Sequence, residues 1–405
     1  MNPGGRTTYR LKLQVITPLF VGGGDSVNLT RINYAYVPEE KKVYVLDERK
    51  WINYLLNANL LDDYEEYIQQ VAGTRKGGAD IYKWFQDKER RVRARAGSVF
   101  NQVSSAVYST AGHPDFKTND IHGFIKNSAG LPYIPGSSIK GALRTAVLAS
   151  HLQKNAAGNK RYLDELEKIL ADGSRDKKDK KKNIERLSRK IEENLLDYRK
   201  QIDDSSLVFK GMSGISVSDS TPFSLENLIL VKKRDLSLVD GKLKGDGYSR
   251  GTLPLYRECA RPGTEVEFTL TIDDFKINKA YGIKTFNDIA GVLQKQFDAL
   301  FGSSGVIAAW PKSINFLPGE VLQDSGKGIM IIGGGAGYHA KSVISSLAGD
   351  PKKANELTRN IMQLIFHKHM HYQDRPLSPR ALKVAKVNGK DVFMGICRIR
   401  EVKKC

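Results

Sequence analysis

The stretch from residue 130 to residue 148 constrains the fold more than any other part of this chain, because it predicts a turn and the helix that follows it. Pro135 and Gly136 end a short apolar strand, and Ser137 or Ser138 supplies an oxygen that can cap the helix. The apolar residues of this helix recur on one face: Ile139, Leu143, Ala146 and Val147. We therefore expect a strand, a tight turn and a helix that packs on a core.

Two cations lie on another face of the predicted helix. Lys140 and Arg144 are four residues apart, and Lys140 falls in the first turn, where the free amides and the helix dipole are already positive. One interpretation is a bound anion, held by the amides, a serine hydroxyl and both cations. The other is an ordinary amphipathic helix with solvated cations. The residues alone leave both interpretations open.

The same residues carry a resemblance to a known family. The run Tyr133-Ile-Pro-Gly-Ser-Ser-Ile-Lys-Gly-Ala-Leu-Arg144 resembles the signature of the RAMP superfamily, the RNA-binding subunits of CRISPR effector complexes. Near the C-terminus, residues 333–337, with His339 and Lys341 just beyond them, resemble the glycine-rich loop with which RAMP subunits meet the RNA backbone. The resemblance implies an RNA-binding protein with ferredoxin-like domains.

Within the superfamily, the chain further resembles the fifth-subunit family of the type III-A Csm complex, through its length, its large insertion before residue 130 and its C-terminal glycine loop. That resemblance implies a subunit that caps one end of the complex, holds the 3′ portion of the crRNA and supports crRNA maturation in antiviral defence. The implied partners are crRNA, the other Csm effector subunits, above all the repeated backbone RAMP subunit, and target RNA. The equivalent cap subunit of a type III-B complex stays an alternative.

The charge of the chain agrees with a polyanionic partner. There are 64 Lys and Arg residues against 45 Asp and Glu residues, which gives a net charge of +19. Residues 174–190 contain nine Lys or Arg and three Asp or Glu, a net of +6, so that +13 belongs to the rest of the chain. The positive excess is therefore distributed, as a nucleic-acid-binding surface requires.

Strand and helix signals alternate through both halves of the chain, which predicts an α+β fold. We expect two tandem ferredoxin-like, RRM-related domains at residues 1–222 and 223–405, with helical insertions at about 60–110 and 154–205. Inside the second insertion, residues 172–183 are rich in charge and are predicted to be a solvated or disordered excursion. Asn388 and Gly389 predict a hairpin close to the C-terminus.

Two glycine segments are candidates for close approach of RNA. Residues 22–24 follow a predicted strand and can line an RNA backbone, although a plain flexible loop fits them equally well. Residues 333–337 do not form a P-loop, because Ala340 and not glycine precedes Lys341, and no acidic strand end follows as a dinucleotide site needs. The predicted RNA contacts are Gly22, Gly23, Gly24, Gly136, Ser137, Ser138, Lys140, Arg144, Gly333, Gly334, Gly335, Gly337, His339 and Lys341.

We predict no metal and no cofactor. His367 and His371 would share one face of a helix, but no carboxylate or cysteine partner is evident, so a basic helix end is the preferred interpretation. The three cysteines have no C-x-x-C spacing and are odd in number, so they support neither a zinc ribbon nor a disulfide framework. No apolar run is long enough to cross a membrane, so we expect a soluble, cytoplasmic protein without a membrane partner.

No catalytic residue is predicted, but one alternative is an enzyme. His113 and His122 lie in a loop with Asp115, and either histidine could cleave precursor crRNA without a metal. The resemblance supports this alternative, because repeat-processing RAMP endoribonucleases use such a histidine. RAMP backbone subunits that cut target RNA instead place an aspartate after the first glycine turn, where this chain has Asn33.

Overall fold

The computed structural model describes residues 5–72, 78–113, 115–173, 176–202, 205–239, 242–244, 255–303, 305–309, 317, 328–387 and 389–404. These residues form a mixed α/β structure, which confirms the predicted class. The strands are β1 (Arg6–Val15), β2 (Tyr34–Val37), β3 (Lys42–Leu46), β4 (Ser104–Ser109), β5 (Ile121–His122), β6 (Tyr198–Ile202), β7 (Ser205–Phe209), β8 (Ile215–Val217), β9 (Leu228–Val239), β10 (Lys242–Lys244), β11 (Tyr256–Ala260), β12 (Glu265–Asp273), β13 (Ile329–Ile331), β14 (Ala381–Val387), β15 (Lys390–Phe393) and β16 (Ile396–Lys404).

The α-helices are α1 (Glu48–Asn57), α2 (Leu61–Ala72), α3 (Ile81–Gln86), α4 (Glu89–Val92), α5 (Ala96–Val103), α6 (Gly136–Lys154), α7 (Ala156–Ala171), α8 (Lys177–Leu196), α9 (Phe286–Phe301), α10 (Ile344–Ala348) and α11 (Pro351–Ile365). Short 3-10 turns lie at Asp25–Val27, Leu225–Asn227, Lys279–Tyr281, Val306–Ala309, His367–His369 and His371–Gln373. Among the described residues, none of the helices combines the length and the apolar character that crossing a bilayer requires.

The first sheet has the strand order β13-β16-β1-β12-β8, and its neighbouring strands are antiparallel. In β1, Leu11, Leu13 and Val15 are buried, as their alternation in the sequence predicts. Along the chain, β1, α6, β8, β12, α9 and β16 follow the order of a βαββαβ unit. The helix that opens the sequence argument, α6, is the first helix of this unit and packs against α9.

The second sheet has the order β15-β14-β9-β11-β5, with β10 paired to β9. Strands β14 and β15 form the predicted hairpin, with Val387 opposite Lys390, while Asn388 lies outside the described residues. Both sheets contain strands from either side of residue 222, so the predicted domain division at that position stays a prediction. Bridges from Leu19 to Ala260 and from Phe20 to Gly334 join the segment after β1 to the second sheet and to the C-terminal glycine segment.

The first predicted insertion is helical and carries a core of its own. Helices α1 to α5 pack beside the three-stranded sheet β2-β3-β4. Trp51 lies at the centre of this aromatic core, with ring centroids 5.7 Å from Tyr64 and 5.8 Å from Phe100. Aromatic pairs at such distances stabilise a small core beyond their buried area.

The second insertion is also helical, and here one prediction is wrong. Residues 177–183 belong to α8 and do not form an excursion, because the carboxylate of Asp176 accepts a hydrogen bond from the Asp179 amide at 2.8 Å and caps the helix. Further along, Leu187 and Ile191 bury the apolar face of α8 in the main core. The lysines near its start remain solvated on an ordered helix, which is why their composition resembles that of a disordered segment.

Candidate nucleic-acid interface

The turn before α6 differs from the prediction in its cap. The helix begins at Gly136 and its N-cap residue, Pro135, makes no side-chain capping bond, so Ser137 and Ser138 lie inside the helix. The Gly136 amide donates to Oδ1 of Asp219 at 2.7 Å. A carboxylate of the chain itself therefore occupies the helix N-terminus, where a bound external anion was one of the two interpretations that the sequence left open.

Gly136 serves packing at this turn. A Cβ atom at Gly136 would lie 2.4 Å from the carbonyl oxygen of Val217 in β8, closer than a carbon atom can approach. Since its amide is bound to Asp219 and its surface is buried, we remove Gly136 from the candidate RNA contacts.

The two cations of α6 have different surroundings. Arg144 is exposed and forms an ion pair with Glu192 of α8. Lys140 is half-buried, burial lowers its pKa, and it has no ion pair within the described part of the chain. Of these two cations, Lys140 thus keeps the larger uncompensated charge.

The two glycine segments, far apart in the sequence, meet at Phe20. The Gly334 amide donates to the Phe20 carbonyl oxygen at 2.7 Å. A Cβ atom would lie 3.0 Å from the Phe20 ring if placed on Gly22, and 2.9 Å from the same ring if placed on Gly334. Gly333 has a φ of +81°, and a Cβ atom there would lie 2.2 Å from the Phe20 carbonyl oxygen. Glycine is required at residue 333 and is favoured at residues 22 and 334, because backbone and ring pack directly on one another there.

The other glycines of the first segment divide into one packed residue and one open residue. Gly23 is enclosed, because a Cβ atom would lie 2.8 Å from the Val27 side chain and 3.2 Å from the backbone of Ile125. Gly24 has a φ of +87° and open space around it, just before the 3-10 turn Asp25–Val27. Gly24 is thus the residue of this segment whose backbone an outside ligand can reach most freely.

A basic pocket lies beside the second glycine segment. Strands β11, β9 and β14 are neighbours in the second sheet and contribute one cation each, because Arg257 lies in β11, Lys233 in β9 and Lys383 in β14. The chain after β13 supplies Lys341. The pocket has a volume of about 440 Å³, and its lining residues are Lys233, Arg257, Gly335, Gly337, Tyr338, Lys341, Ser342 and Lys383. We name it the basic pocket.

The charges of the basic pocket do not balance. Asp235 is the carboxylate paired with its lysines, with Oδ2 2.6 Å from Lys383 Nζ and Oδ1 3.3 Å from Lys233 Nζ. Burial lowers the pKa of Lys233, and the positive charge of Lys383 lowers it further. Four lining cations against this one carboxylate leave a positive excess that an anion would neutralise.

Arg257 is the most buried cation of the pocket and also connects it to Phe20. Its guanidinium carbon lies 4.8 Å from the centroid of the Phe20 ring, a cation–π contact. Its Nε and Nη1 atoms are buried and have no hydrogen-bond partner within the described residues. Burial lowers the pKa of Arg257. Arg257 thus adds a positive charge to the pocket, at the cost of two buried donors without partners in the described residues.

The sequence did not predict Lys233, Arg257 or Lys383 as part of the site. Each lies in a different strand and belongs to no motif, and only the pairing of β11, β9 and β14 brings them together. The one sequence signal was the distributed positive charge, which does not identify positions.

The position of His339 does not favour its predicted role as an RNA contact. The side chain is buried, and its Nε2 donates to the carbonyl oxygen of Pro379 at 3.3 Å. Burial lowers the pKa of His339 to about 4, so the ring is neutral at pH 7. Lys341, two residues later, is exposed and lines the basic pocket, so it remains a candidate contact.

The two histidines of the enzymatic alternative lie in different places. The Nε2 of His113 donates to the carbonyl oxygen of Leu230 at 3.1 Å, and burial lowers its pKa. His122 is half-buried beside Arg257, and its ring centroid is 6.5 Å from that of Phe20. Burial and then the charge of Arg257 lower the pKa of His122. Of the two, His122 is the one at the margin of the basic pocket.

The C-terminal histidines do not share a helix face. Helix α11 ends at Ile365, and His367 and His371 lie in separate 3-10 turns. The Nδ1 of His371 donates to Asp374 at 2.8 Å. Within the described ranges, no three His, Cys, Asp or Glu residues are grouped so that they could hold a metal ion.

Comparison with known families identifies the class of protein to which this fold belongs. The model of the RAMP superfamily matches residues 12–335. The chain therefore belongs to the RAMP superfamily, as its Pro-Gly-Ser-Ser motif and its second glycine loop predicted.

Individual curated relatives identify a narrower group than the superfamily, because those compared below are Csm5 proteins. The chain is 26% identical over 345 residues to the CRISPR system Cms protein Csm5 of Streptococcus thermophilus, with 84% of this chain and 82% of that protein covered. It is 24% identical over 403 residues to Csm5 of Mycobacterium tuberculosis, with 96% of each covered. Within its superfamily the chain is thus similar to Csm5 proteins over most of its length.

Solved structures share the fold. A chain of a cryo-EM Csm–crRNA–target RNA ternary complex from a type III-A CRISPR-Cas system has a TM-score of 0.64 at 21% identity, with 97% of this chain and 100% of that chain covered. The crystal structure of T. onnurineus Csm5 has a TM-score of 0.58 at 18% identity, with 96% and 99% covered.

Proposed function

We propose that the chain is an RNA-binding subunit of a type III-A CRISPR (Csm) effector complex. In this role it caps the complex at the 3′ end of the crRNA and supports crRNA maturation and antiviral defence. The observation that carries the proposal is the basic pocket, where four cations lie around the second glycine segment, which meets the first glycine segment at Phe20. The similarity to Csm5 proteins over most of the chain supports the assignment to a Csm complex and favours type III-A over type III-B.

The pocket suits the phosphates of an RNA backbone better than a base. Gly335 and Gly337 have no side chains to keep a phosphate away from their backbone, and the cations Lys341 and Lys383 lie on the same wall. Contacts of this kind hold phosphates and carry little sequence information. We therefore propose that the chain positions crRNA largely without reading its bases at this pocket.

The remaining predicted contacts form a second group around α6. Lys140 keeps its charge uncompensated, and Ser137 and Ser138 lie in the first turn, where they can contact a phosphate together with Lys140. Arg144 joins this group only by leaving Glu192. We propose this group as a weaker contact than the basic pocket.

Partners and architecture follow from the same proposal. The protein partners would be other Csm subunits, above all the repeated backbone RAMP subunit, with target RNA passing nearby.

The βαββαβ unit and the second sheet would be the two ferredoxin-like units that the sequence predicts. A cytoplasmic setting would suit Cys259 and Cys397, which are both free thiols.

Charge reversal at the pocket tests the proposal. Lys341→Glu and Lys383→Glu should each weaken binding of labelled crRNA to the full chain and lower the slope of log affinity against log salt by about 1. The matched control is Lys42→Glu, which alters an exposed lysine of β3 beside the separate aromatic core. Equal affinities for the control and both pocket variants would contradict RNA binding at this pocket.

The second candidate function is a metal-independent endoribonuclease that processes precursor crRNA. The observation in its favour is the position of His122 next to Arg257 and Phe20, with a lowered pKa that leaves the ring available as a base. We propose that the chain has no nuclease activity of its own. Cleavage of repeat RNA that persists with a chelator and is lost in His122→Ala would establish the enzyme instead.

A further inference from the structure

The segment after α11 exposes aromatic and apolar side chains that face solvent. Residues 366–373, which we name the aromatic turn, include Phe366 at 50%, Met370 at 47% and Tyr372 at 56% exposure. Among the described residues, Phe366 and Tyr372 are the only aromatic residues of the large exposed apolar group. All other described Phe, Tyr and Trp side chains are more buried. An exposed group of this kind usually marks a binding surface.

Histidine rings extend this surface. The ring centroid of Phe366 lies 6.2 Å from that of His369 and 6.4 Å from that of His371. The rings of His369 and His371 are 5.9 Å apart and inclined by 31° to one another. Flat rings from neighbouring positions thus lie close together on one short turn.

A buried carboxylate fixes the aromatic turn. Asp374 is fully buried and accepts hydrogen bonds from His371 Nδ1 at 2.8 Å and from Ser378 Oγ at 2.8 Å. Arg380 forms an ion pair with Asp374 at 3.3 Å, and its Nη2 donates to the carbonyl oxygen of His369 at 3.3 Å. Because these contacts fix the backbone of the turn, the exposed rings are positioned before any ligand binds.

The charge around the turn is positive. Lys368 and Arg375 are exposed, and the one carboxylate of residues 366–380, on Asp374, is buried and already paired.

The turn is also connected to the basic pocket. The carbonyl oxygen of Pro379 accepts a hydrogen bond from His339, which lies two residues beyond the second glycine segment. Lys383 of the pocket follows Arg380 by three residues, which is about 10 Å of extended chain.

We propose that the aromatic turn is a stacking platform for unpaired bases of a single-stranded RNA whose backbone lies in the basic pocket. This inference rests on the proposed function, since it takes RNA as the ligand, and it adds a base contact to a backbone contact. Phe366 and Tyr372 stack on bases, while Lys368 and Arg375 hold the flanking phosphates. Stacking on aromatic rings tolerates any base, so the platform adds affinity without sequence preference.

The observations favour RNA over a protein partner for this surface. A protein interface of standard size needs a broad apolar core with few charges, whereas here the apolar side chains are few and alternate with cations and histidines. Rings interleaved with cations, next to a cationic pocket, are the arrangement that single-stranded nucleic acids use.

The test compares RNA that has bases with RNA that lacks them. The full chain is offered a short single-stranded RNA, and the same RNA with abasic residues, in binding titrations with Phe366→Ala, Tyr372→Ala and the double variant. Each single variant should weaken binding of base-bearing RNA by about 5- to 100-fold and leave binding of abasic RNA unchanged. Leu56→Ala, an equally exposed apolar residue on α1, serves as the control. A 2-aminopurine base in the RNA reports stacking directly through the quenching of its fluorescence.

The outcomes separate this inference from the proposed function. If the Lys383→Glu variant loses both RNAs while the ring variants bind base-bearing RNA normally, the platform is wrong and the backbone contact stands. If the ring variants bind RNA normally but no longer assemble with other subunits, the surface is a protein interface and the platform is again wrong. If the unsubstituted chain binds neither RNA, both proposals are overturned. Unchanged thermal unfolding of the ring variants ensures that a loss of binding is not a loss of folding.

Discussion

Protonation of His339 should make the stability of this fold depend on pH. Burial lowers the pKa of this ring to about 4 from an ordinary 6.5. Because the folded pKa lies below the unfolded pKa, the unfolded chain binds the proton first as the pH falls. The stability that the neutral ring contributes is complete above the unfolded pKa and is lost progressively as the pH falls toward the folded pKa.

The size of the effect follows from the gap between the two values. One pKa unit corresponds to about 1.4 kcal/mol, so the gap for His339 gives about 3 kcal/mol in total. Of this, about 2 kcal/mol should be lost between pH 7 and pH 5. His113, His122 and His151 also have pKa values lowered by burial, so the whole chain should lose more than His339 alone explains.

A matched variant isolates the contribution of His339. His339→Gln keeps an N–H donor for the Pro379 carbonyl oxygen but cannot titrate. Urea unfolding of both proteins at pH 7 and pH 5 should show that the variant loses about 2 kcal/mol less free energy of unfolding, because every other titrating group cancels in the comparison. Equal losses in the two proteins would refute a buried, neutral His339 beside the glycine segment.

Three further predictions concern the two glycine segments and α6. Gly333→Ala should lower the free energy of unfolding by at least about 2 kcal/mol, measured in urea, because the new methyl group would overlap the Phe20 carbonyl oxygen at a positive φ. Asp219→Ala should cost about 1 kcal/mol in the same assay, because it removes the carboxylate that accepts the first amide of α6; an unchanged midpoint would contradict this cap. Arg144→Gln should change stability by less than about 1 kcal/mol, because its pair with Glu192 is exposed. Arg144→Glu should also weaken crRNA binding in titrations, and unchanged affinity at moderate salt would remove Arg144 from the site.

Local signals in the sequence predicted local structure well. The alternation in β1, the start of α6 after Pro135 and the hairpin of β14 and β15 all depend on residues close together in the chain, and the structure confirms each of them. The predicted cap of α6 was wrong because the true partner of the first amide is not a neighbour in the sequence. Asp219, which replaces the predicted serine, lies far along the chain, so that no local rule connects it with Gly136.

The candidate site could not be predicted in full, because its residues are brought together by strand pairing between distant parts of the chain. Each glycine segment could be recognised from its composition, but their meeting at Phe20 depends on the path of the chain between the two sheets. Lys233 and Lys383 are ordinary strand lysines until β9 and β14 are seen to be neighbours. Resemblance to a family supplied the expectation of RNA binding, whereas the positions of these cations come from the fold.

The physical cost of the basic pocket is itself an argument for an anionic ligand. Arg257 is half-buried, but two of its donors are fully buried and lack partners in the described part of the chain, and burying such donors costs free energy. Lys233 is desolvated next to Lys383, and they share the carboxylate of Asp235. A fold under selection for stability alone would exchange these cations for apolar side chains. A phosphate would neutralise the excess charge of the basic pocket, so that the cations which weaken the free chain are those that would strengthen its complex with RNA.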